Sequence, residues 1–526
     1  MFKKFLDYRK LIGYFAGAFV IVGLIGGCAG LSPMSGSPTD PSPTPTKTSP
    51  TGYLTWKNDN QRTGLQPNET VLTPANVNST QFGEKFSVPL DGWTFAQPLY
   101  VAGLTIAGTK HNVVFVATEH ASVYAFDADA AGPPLWHTSF LGPGVTTVFT
   151  GNNALIPVQP EVGITATPVI DAGSGTIYAL AQTVEKGVFM NKLHALDITS
   201  GAEKPGSPVL LSDPAFDAKQ EFERCALLLA NGNVYAAFAS YGDIEPYKGF
   251  MFAFNANTLA PVAVWNVTPT GTEGGIWMGA AGPAADASGN IFVAVGNGTW
   301  DGVTNFGQSV VRLDSGLHVM DYFAPFDANQ LNIGDHDVGA GGVLLVPDQS
   351  GSFAHEAVVC GKNEPIFVLN RDNLGKKGNT DNNQIIQSVH GQLGGPGLQD
   401  DDHCFTTAAF FNQTLYFIGN NDVIKAFSLD GPSGKISLTP TSKGSFVFPF
   451  PGGQAVVSSN GASNGIVWAV DFNFAGSLHA FDATDVSREL FRSAAIGQPA
   501  KWAVPTVING KVYVATKSRL VVFGLK

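Results

Sequence analysis

Charged residues make up only 14% of this 526-residue chain, yet several stand in tight groups beside aromatic ones. Trp93 to Gln97, Glu161 to Thr165, Glu223-Arg224-Cys225, Ile276-Trp277-Met278, Asp335-His336-Asp337, Asp402-His403-Cys404, Gly453-Gln454 and Lys501-Trp502 each run straight into a strand-like segment. Carboxylates, cations, imidazoles and indoles gathered at one point would bind a small polar molecule, and His336 between two acids could pass a proton. Any one such residue is more often wet loop than site. The expectation therefore rests on the groups being brought together.

A repeat supplies the means. β-Branched and aromatic segments recur at 113–118, 176–181, 233–239, 290–296, 356–361, 414–419, 466–471 and 511–516. Each leads to a further strand ending at Asp127, Asp197, Asn255, Asp314, Asn370, Ser428, Asp482 or Gly524, so the unit is 42 to 70 residues long. That length suits four short antiparallel strands and their loops. The eighth unit stops at Lys526, one strand short, while a spare strand, Glu84 to Leu90, precedes the first. The reading is an all-β, eight-bladed β-propeller closed by an N-terminal strand, about residues 82–90, that completes the last blade and leaves no open edge. Two stacked β-sandwiches would not explain one strand missing at one end and one spare at the other. In a propeller the first strand of each blade lines the channel, which would collect the polar groups at one mouth.

Hydrophobic residues at 44% and aromatics at 11% exclude a disordered or coiled-coil chain. A net charge of -12 opposes binding to nucleic acid, and four cysteines (Cys28, Cys225, Cys360, Cys404) are too few for a disulfide scaffold and unsuited to a zinc site. Basic residues up to Lys10, an uncharged run from Leu11 to Gly27 and then Cys28 have the layout of a secretory signal. Ile25-Gly26-Gly27-Cys28 resembles the lipobox of bacterial lipoproteins, which implies acylation of Cys28; a retained signal anchor is the competing reading. Residues 1–27 are thus read as signal, 28–52 as a lipidated Cys with a Pro/Ser/Thr-rich linker, and 53–526 as the propeller. The protein is expected to be periplasmic or at the cell surface, touching a membrane through its lipid anchor only.

The repeat, with Ala125-Phe126-Asp127 and His194 to Gly201, resembles that of the pyrroloquinoline quinone (PQQ) dependent dehydrogenases, which are eight-bladed propellers. Non-catalytic outer-membrane assembly lipoproteins share the same repeat. Within blades, Ile164-Thr165-Ala166-Thr167-Pro168 resembles the segment whose Thr contacts the quinone, and Glu185 the family's calcium-binding Glu. Gly274-Gly275-Ile276-Trp277 with Gly296-Asn297-Gly298-Thr299-Trp300 resembles the Trp beneath the cofactor and the Asn that binds calcium. Asp337-Val338-Gly339 is similar to the segment of the catalytic Asp, and Lys362-Asn363 to the motif whose cation reaches the quinone oxygens.

The resemblance implies PQQ stacked on Trp277, calcium held by Glu185 and Asn297, Asp337 as proton acceptor and Lys362 opposite the developing oxyanion. The family's adjacent Cys pair is missing from 141–162, and no Cys-x-x-Cys-His haem motif occurs, so an enzyme of this kind would need a separate electron acceptor. Two functions stand: a quinoprotein oxidoreductase acting on an alcohol or sugar, and a non-catalytic envelope scaffold or binding propeller for a protein or glycan. Asp400-Asp401-Asp402-His403 is read as a solvated loop rather than a metal site, and Gly461 to Gly465 as a turn.

Overall fold

The structure, a computed structural model, describes residues 52–526 apart from 152–157, 364, 397 and 399–402. The signal, Cys28, nearly all of the linker and Asp400 to Asp402 lie outside the described residues. Eight sheets follow one another along the chain, and blade 1 opens with Leu99–Ile106, Thr109–Thr118 and Ser122–Asp127.

The second strands are apolar without interruption because both faces of each sheet are covered by its neighbours. In blade 3, Val234, Ala236 and Phe238 pack with Tyr178 and Leu193 of blade 2. The intervening Tyr235 and Ala237 pack with Phe292 and Val311 of blade 4. Alternation along one strand thus feeds two separate layers.

Tyrosines latch the blades in sequence. The hydroxyl of Tyr178 donates to the carbonyl of Ala256 at 2.7 Å, Tyr235 to Ser315 at 2.9 Å, and Tyr416 to Ala483 at 2.6 Å. In each case a second-strand phenol satisfies the carbonyl just past the third strand of the next blade, so these phenol hydroxyls are paired although their rings are buried. Tyr513 of blade 8 does the same to Ala128 of blade 1 at 3.2 Å, across the point where the ring meets itself. Beside it, Phe82–Pro89 pairs antiparallel with Arg519–Leu525 as the outer strand of blade 8.

A second device was not visible in the sequence. Residues 53–69 form a belt that visits the inner edge of every blade. Tyr53 pairs with Tyr100 in blade 1, and the Leu54 carbonyl accepts from the Ile170 N–H of blade 2. Asn60 donates to Leu229 of blade 3 and accepts from the Ala285 N–H of blade 4, while Gln61 accepts from Leu345 of blade 5. Thr63 accepts from Phe410 of blade 6, Gly64 from Val457 of blade 7, and the Glu69 carboxylate from Gly510 of blade 8. These contacts lie along the first strands rather than in the loops that lead into them, which puts the belt on the side of the ring away from those loops. Trp56, Lys57 and Arg62 are buried within it.

Candidate functional site

The loops entering the first strands and those joining second to third strands share the open face. Trp277 precedes the first strand of blade 4, and Asn297 follows that blade's second strand, Ile291–Ala294. Asp337 precedes the first strand of blade 5, and Lys362 follows its second strand, Glu356–Cys360.

These four residues are brought together. Asp337 Oδ1 accepts the Asn297 backbone N–H at 2.7 Å, and the Lys362 backbone N–H donates to the Asp337 carbonyl at 2.8 Å. Lys362 Nζ lies 2.6 Å from Asp335 Oδ2 and 4.0 Å from Asp337 Oδ2. Gly296 is required beside them, since a Cβ there would stand 2.3 Å from Asp337 Oδ1 and 2.7 Å from the Trp277 ring. Burial, with the nearby charge of Asp335, raises the Asp337 carboxyl to about 7.

Beside them lies a cavity of about 200 Å³ lined by three cations, Arg224, Lys362 and Lys501, two carboxyl groups, Asp243 and Asp337, and four aromatics, Trp277, Phe405, Phe450 and Trp502. The Arg224 guanidinium lies over both indoles, 5.3 Å from the Trp277 ring and 4.6 Å from that of Trp502. Burial lowers Arg224 to about 10, and burial with the charge of Arg224 lowers Lys501 to about 8. The indole Nε1 atoms of Trp277 and Trp502 are buried without a hydrogen-bond partner. A larger recess of about 620 Å³ opens between blades 4 and 5 on the belt side. There Arg312 holds the Arg371 carbonyl, and Arg371 holds the Val346 carbonyl and Asp348, so its cations are committed to structure.

Two expected members lie elsewhere. Glu185 sits at the end of Thr176–Glu185, which continues four residues beyond the expected strand and carries the carboxylate to a hairpin tip, where Lys192 pairs with it at 2.5 Å. The Thr165 hydroxyl donates to Glu119 Oε2 at 3.0 Å and is absent from the cavity wall. The amide oxygen of Asn297 accepts from Gln308 Nε2 at 2.6 Å, and its Nδ2 donates to Asp335 at 2.6 Å. Among the described residues no group of three or more His, Cys, Asp or Glu could hold a metal. The proposed calcium ligands are therefore dispersed or already engaged, and the donor set does not fit a calcium ion at this mouth. A flat, carboxylate-bearing ligand fits better, because three cations and two unpartnered indole N–H groups face or flank the cavity.

Arg224, Asp335 and the Lys501-Trp502 pair were marked by sequence as mouth residues. Asp243, Phe405 and Phe450 were not, since they sit in loops without a repeat signature. Nor was the disulfide between Cys360 and Cys404 foreseen; it ties the end of blade 5's second strand to the entry of blade 6, next to Lys362 and Phe405.

The chain superposes on the quinohemoprotein alcohol dehydrogenase of Comamonas testosteroni with a TM-score of 0.65 and 14% identity, over 91% of this chain and 81% of that one. A europium-containing methanol dehydrogenase superposes with a TM-score of 0.63 and 14% identity, over 91% and 99%. At such identity the likeness is one of fold, the eight-bladed quinoprotein propeller. No family model matches the chain, and no curated protein matches it in sequence.

Proposed function

We propose that this protein is an exported, lipid-anchored oxidoreductase that holds a flat, carboxylate-bearing quinone of the PQQ class at the open mouth and oxidises an alcohol or sugar. The observation that carries this reading is Asp337, a carboxyl near 7 beside Lys362 on the wall of a cationic, aromatic cavity. The fold likeness to alcohol and methanol dehydrogenases agrees with it.

When bound, such a quinone supplies a two-electron acceptor. Ionised Asp337 takes the substrate's hydroxyl proton at its carboxylate, and the Asn297 N–H keeps that carboxylate oriented. Lys362 stabilises negative charge growing beside it. Arg224 and Lys501 would hold carboxylates of such a ligand, and Trp277, now covered by the Arg224 guanidinium, offers an aromatic face for a planar ring. The cavity is smaller than the roughly 300 Å³ at which small-molecule sites begin, which agrees with a side chain resting in the ligand's place. A separate electron acceptor would be needed to reoxidise the bound group. The Cys360–Cys404 disulfide supports the export reading, because such bonds persist in oxidising compartments.

One observation favours the second reading, a binding propeller. Phe149 at the end of strand Val145–Phe149, Ile333 at the end of helix Ala328–Ile333 and Phe474 in the turn between blade 7's second and third strands are 81, 84 and 88% exposed. A protein partner of the cell envelope would cover them.

The test is titration with PQQ, with and without EDTA, followed by dye reduction with a panel of alcohols and sugars. The reading expects saturable binding that survives EDTA, is lost in Trp277→Ala and is kept without turnover in Asp337→Asn. Binding that is absent at millimolar quinone would leave the partner-binding reading.

A further inference from the structure

Buried polar atoms are almost always hydrogen-bonded, and those that are not call for an explanation. In this protein five of them belong to four neighbouring residues of blades 1, 2 and 3. Glu119 Oε1, both carboxylate oxygens of Glu223, Thr94 Oγ1 and Gln182 Nε2 are buried and without partner. Glu119, Glu223, Thr94 and Gln182 are each no more than 2% exposed.

The chain ties these residues together. The Glu119 N–H donates to the Trp93 carbonyl, next to Thr94. Glu119 Oε2 accepts from the Gly163 N–H at 2.9 Å and the Thr165 hydroxyl at 3.0 Å. The Gln182 N–H donates to the Gly163 carbonyl at 2.8 Å, and its side chain meets the Tyr241 hydroxyl at 3.0 Å. Gly163 admits no side chain, since a Cβ would lie 2.4 Å from the Glu119 carbonyl oxygen. Glu223 enters from blade 3 and feels the charge of Glu119.

Two carboxylates in a dry interior are costly unless they take up protons or something positive joins them, and burial raises the pKa of both. Among the described residues no Lys or Arg joins them: the charge acting on Glu223 is that of Glu119, and the charge acting on Glu119 is that of Glu161. The unpartnered atoms are mostly oxygens, and an amide turned over at Gln182 would add another, with Tyr241 accepting instead of donating. Carboxylate, hydroxyl and amide oxygens are the donors a hard divalent cation prefers, and two carboxylates neutralise its charge.

We propose that Glu119, Glu223, Thr94 and Gln182 form a buried site for one divalent cation of the calcium class. It pins blades 1, 2 and 3 together beneath the open mouth. It uses neither Glu185 nor Asn297, and it does not depend on the quinone reading.

The experiment uses the whole propeller, stripped with EDTA and titrated with Ca²⁺ by calorimetry and with Tb³⁺ by luminescence sensitised through nearby Tyr241. One ion per chain is expected, with affinity at least tenfold weaker in Glu223→Gln and Glu119→Gln and unchanged in Glu185→Gln. Stability supplies a second reading should a variant bind poorly for other reasons. Ca²⁺ should raise the melting temperature of the wild type and not of Glu223→Gln, while in EDTA Glu223→Gln should melt higher than the wild type. No saturable binding together with no Ca²⁺-dependent shift, or equal loss in Glu185→Gln, overturns the proposal.

Discussion

The ammonium of Lys57 donates to the main-chain carbonyl of Thr407 at 2.6 Å, joining positions 350 residues apart. A second bond, at 2.9 Å, reaches the Ala408 carbonyl. Lys57 is fully buried, and burial holds its pKa well below the usual lysine range. A cation in such a position serves the belt, holding it against blade 6 while neighbouring residues hold it to the other seven.

Replacing Lys57 by Ala leaves two buried carbonyls without donors. The expected loss is about 3 kcal/mol, measured by denaturant unfolding. A cost below about 0.5 kcal/mol would mean that the belt is an ornament on an independently stable ring.

Closure at the other end of the chain rests on Phe82. Its ring meets Phe491 edge-on at 5.0 Å, tilts against Trp468 at 5.6 Å and stacks on Phe523 at 6.2 Å, bridging blades 7 and 8. Phe82→Ala should cost about 3–5 kcal/mol. Deleting residues 82–90 should destabilise the whole domain and expose an edge that promotes aggregation. An unchanged melting temperature in both variants would contradict closure by this strand.

The Cys360–Cys404 bond closes a long loop that carries Lys362. Cys360→Ser with Cys404→Ser should lower stability by about 2–4 kcal/mol and weaken ligand binding, because the loop positions a cation of the cavity. Equal affinity in the double variant would show that Lys362 is positioned by its hydrogen bonds alone.

Turnover should follow a bell-shaped pH profile. Asp337 is held near 7, so its basic form grows as pH rises through that value. Lys501 is held near 8, so attraction for an anionic ligand falls above it. The ascending limb should vanish with activity in Asp337→Asn, and the descending limb of binding should flatten in Lys501→Met. For stability the sign is the opposite: the raised Asp337 pKa contributes fully below its unfolded value of about 4, and that contribution is lost as pH climbs through 7. Initial-rate and calorimetric titrations from pH 5 to 9 check both statements.

How far the sequence could be read depended on whether a feature repeats. The eight sheets were legible because every blade restates the same buried strand, and the Tyr latches lie on that strand. Trp277, Asn297, Asp337 and Lys362 were legible because each sits at a fixed point of a blade. Glu185 misled because its strand runs four residues longer than the repeat suggests, which moves a side chain from channel to hairpin tip. The belt, Phe405, Phe450 and the disulfide occur once each, so no periodicity announces them. Glu223 was marked as a mouth residue and Glu119 was not, but that carboxylate oxygens of both are buried without a partner is visible only in the packed structure.

On the proposed reading the open mouth binds a flat anionic quinone through Trp277 and its surrounding cations without a metal. Equilibrium binding of PQQ to the EDTA-treated protein, followed by tryptophan fluorescence, tests it most directly. Saturable quenching of unchanged affinity in EDTA is expected, weakened at least tenfold in Trp277→Ala and in Lys501→Met. Quenching that requires added Ca²⁺ and disappears in Asn297→Ala, or no quenching at all, would contradict it.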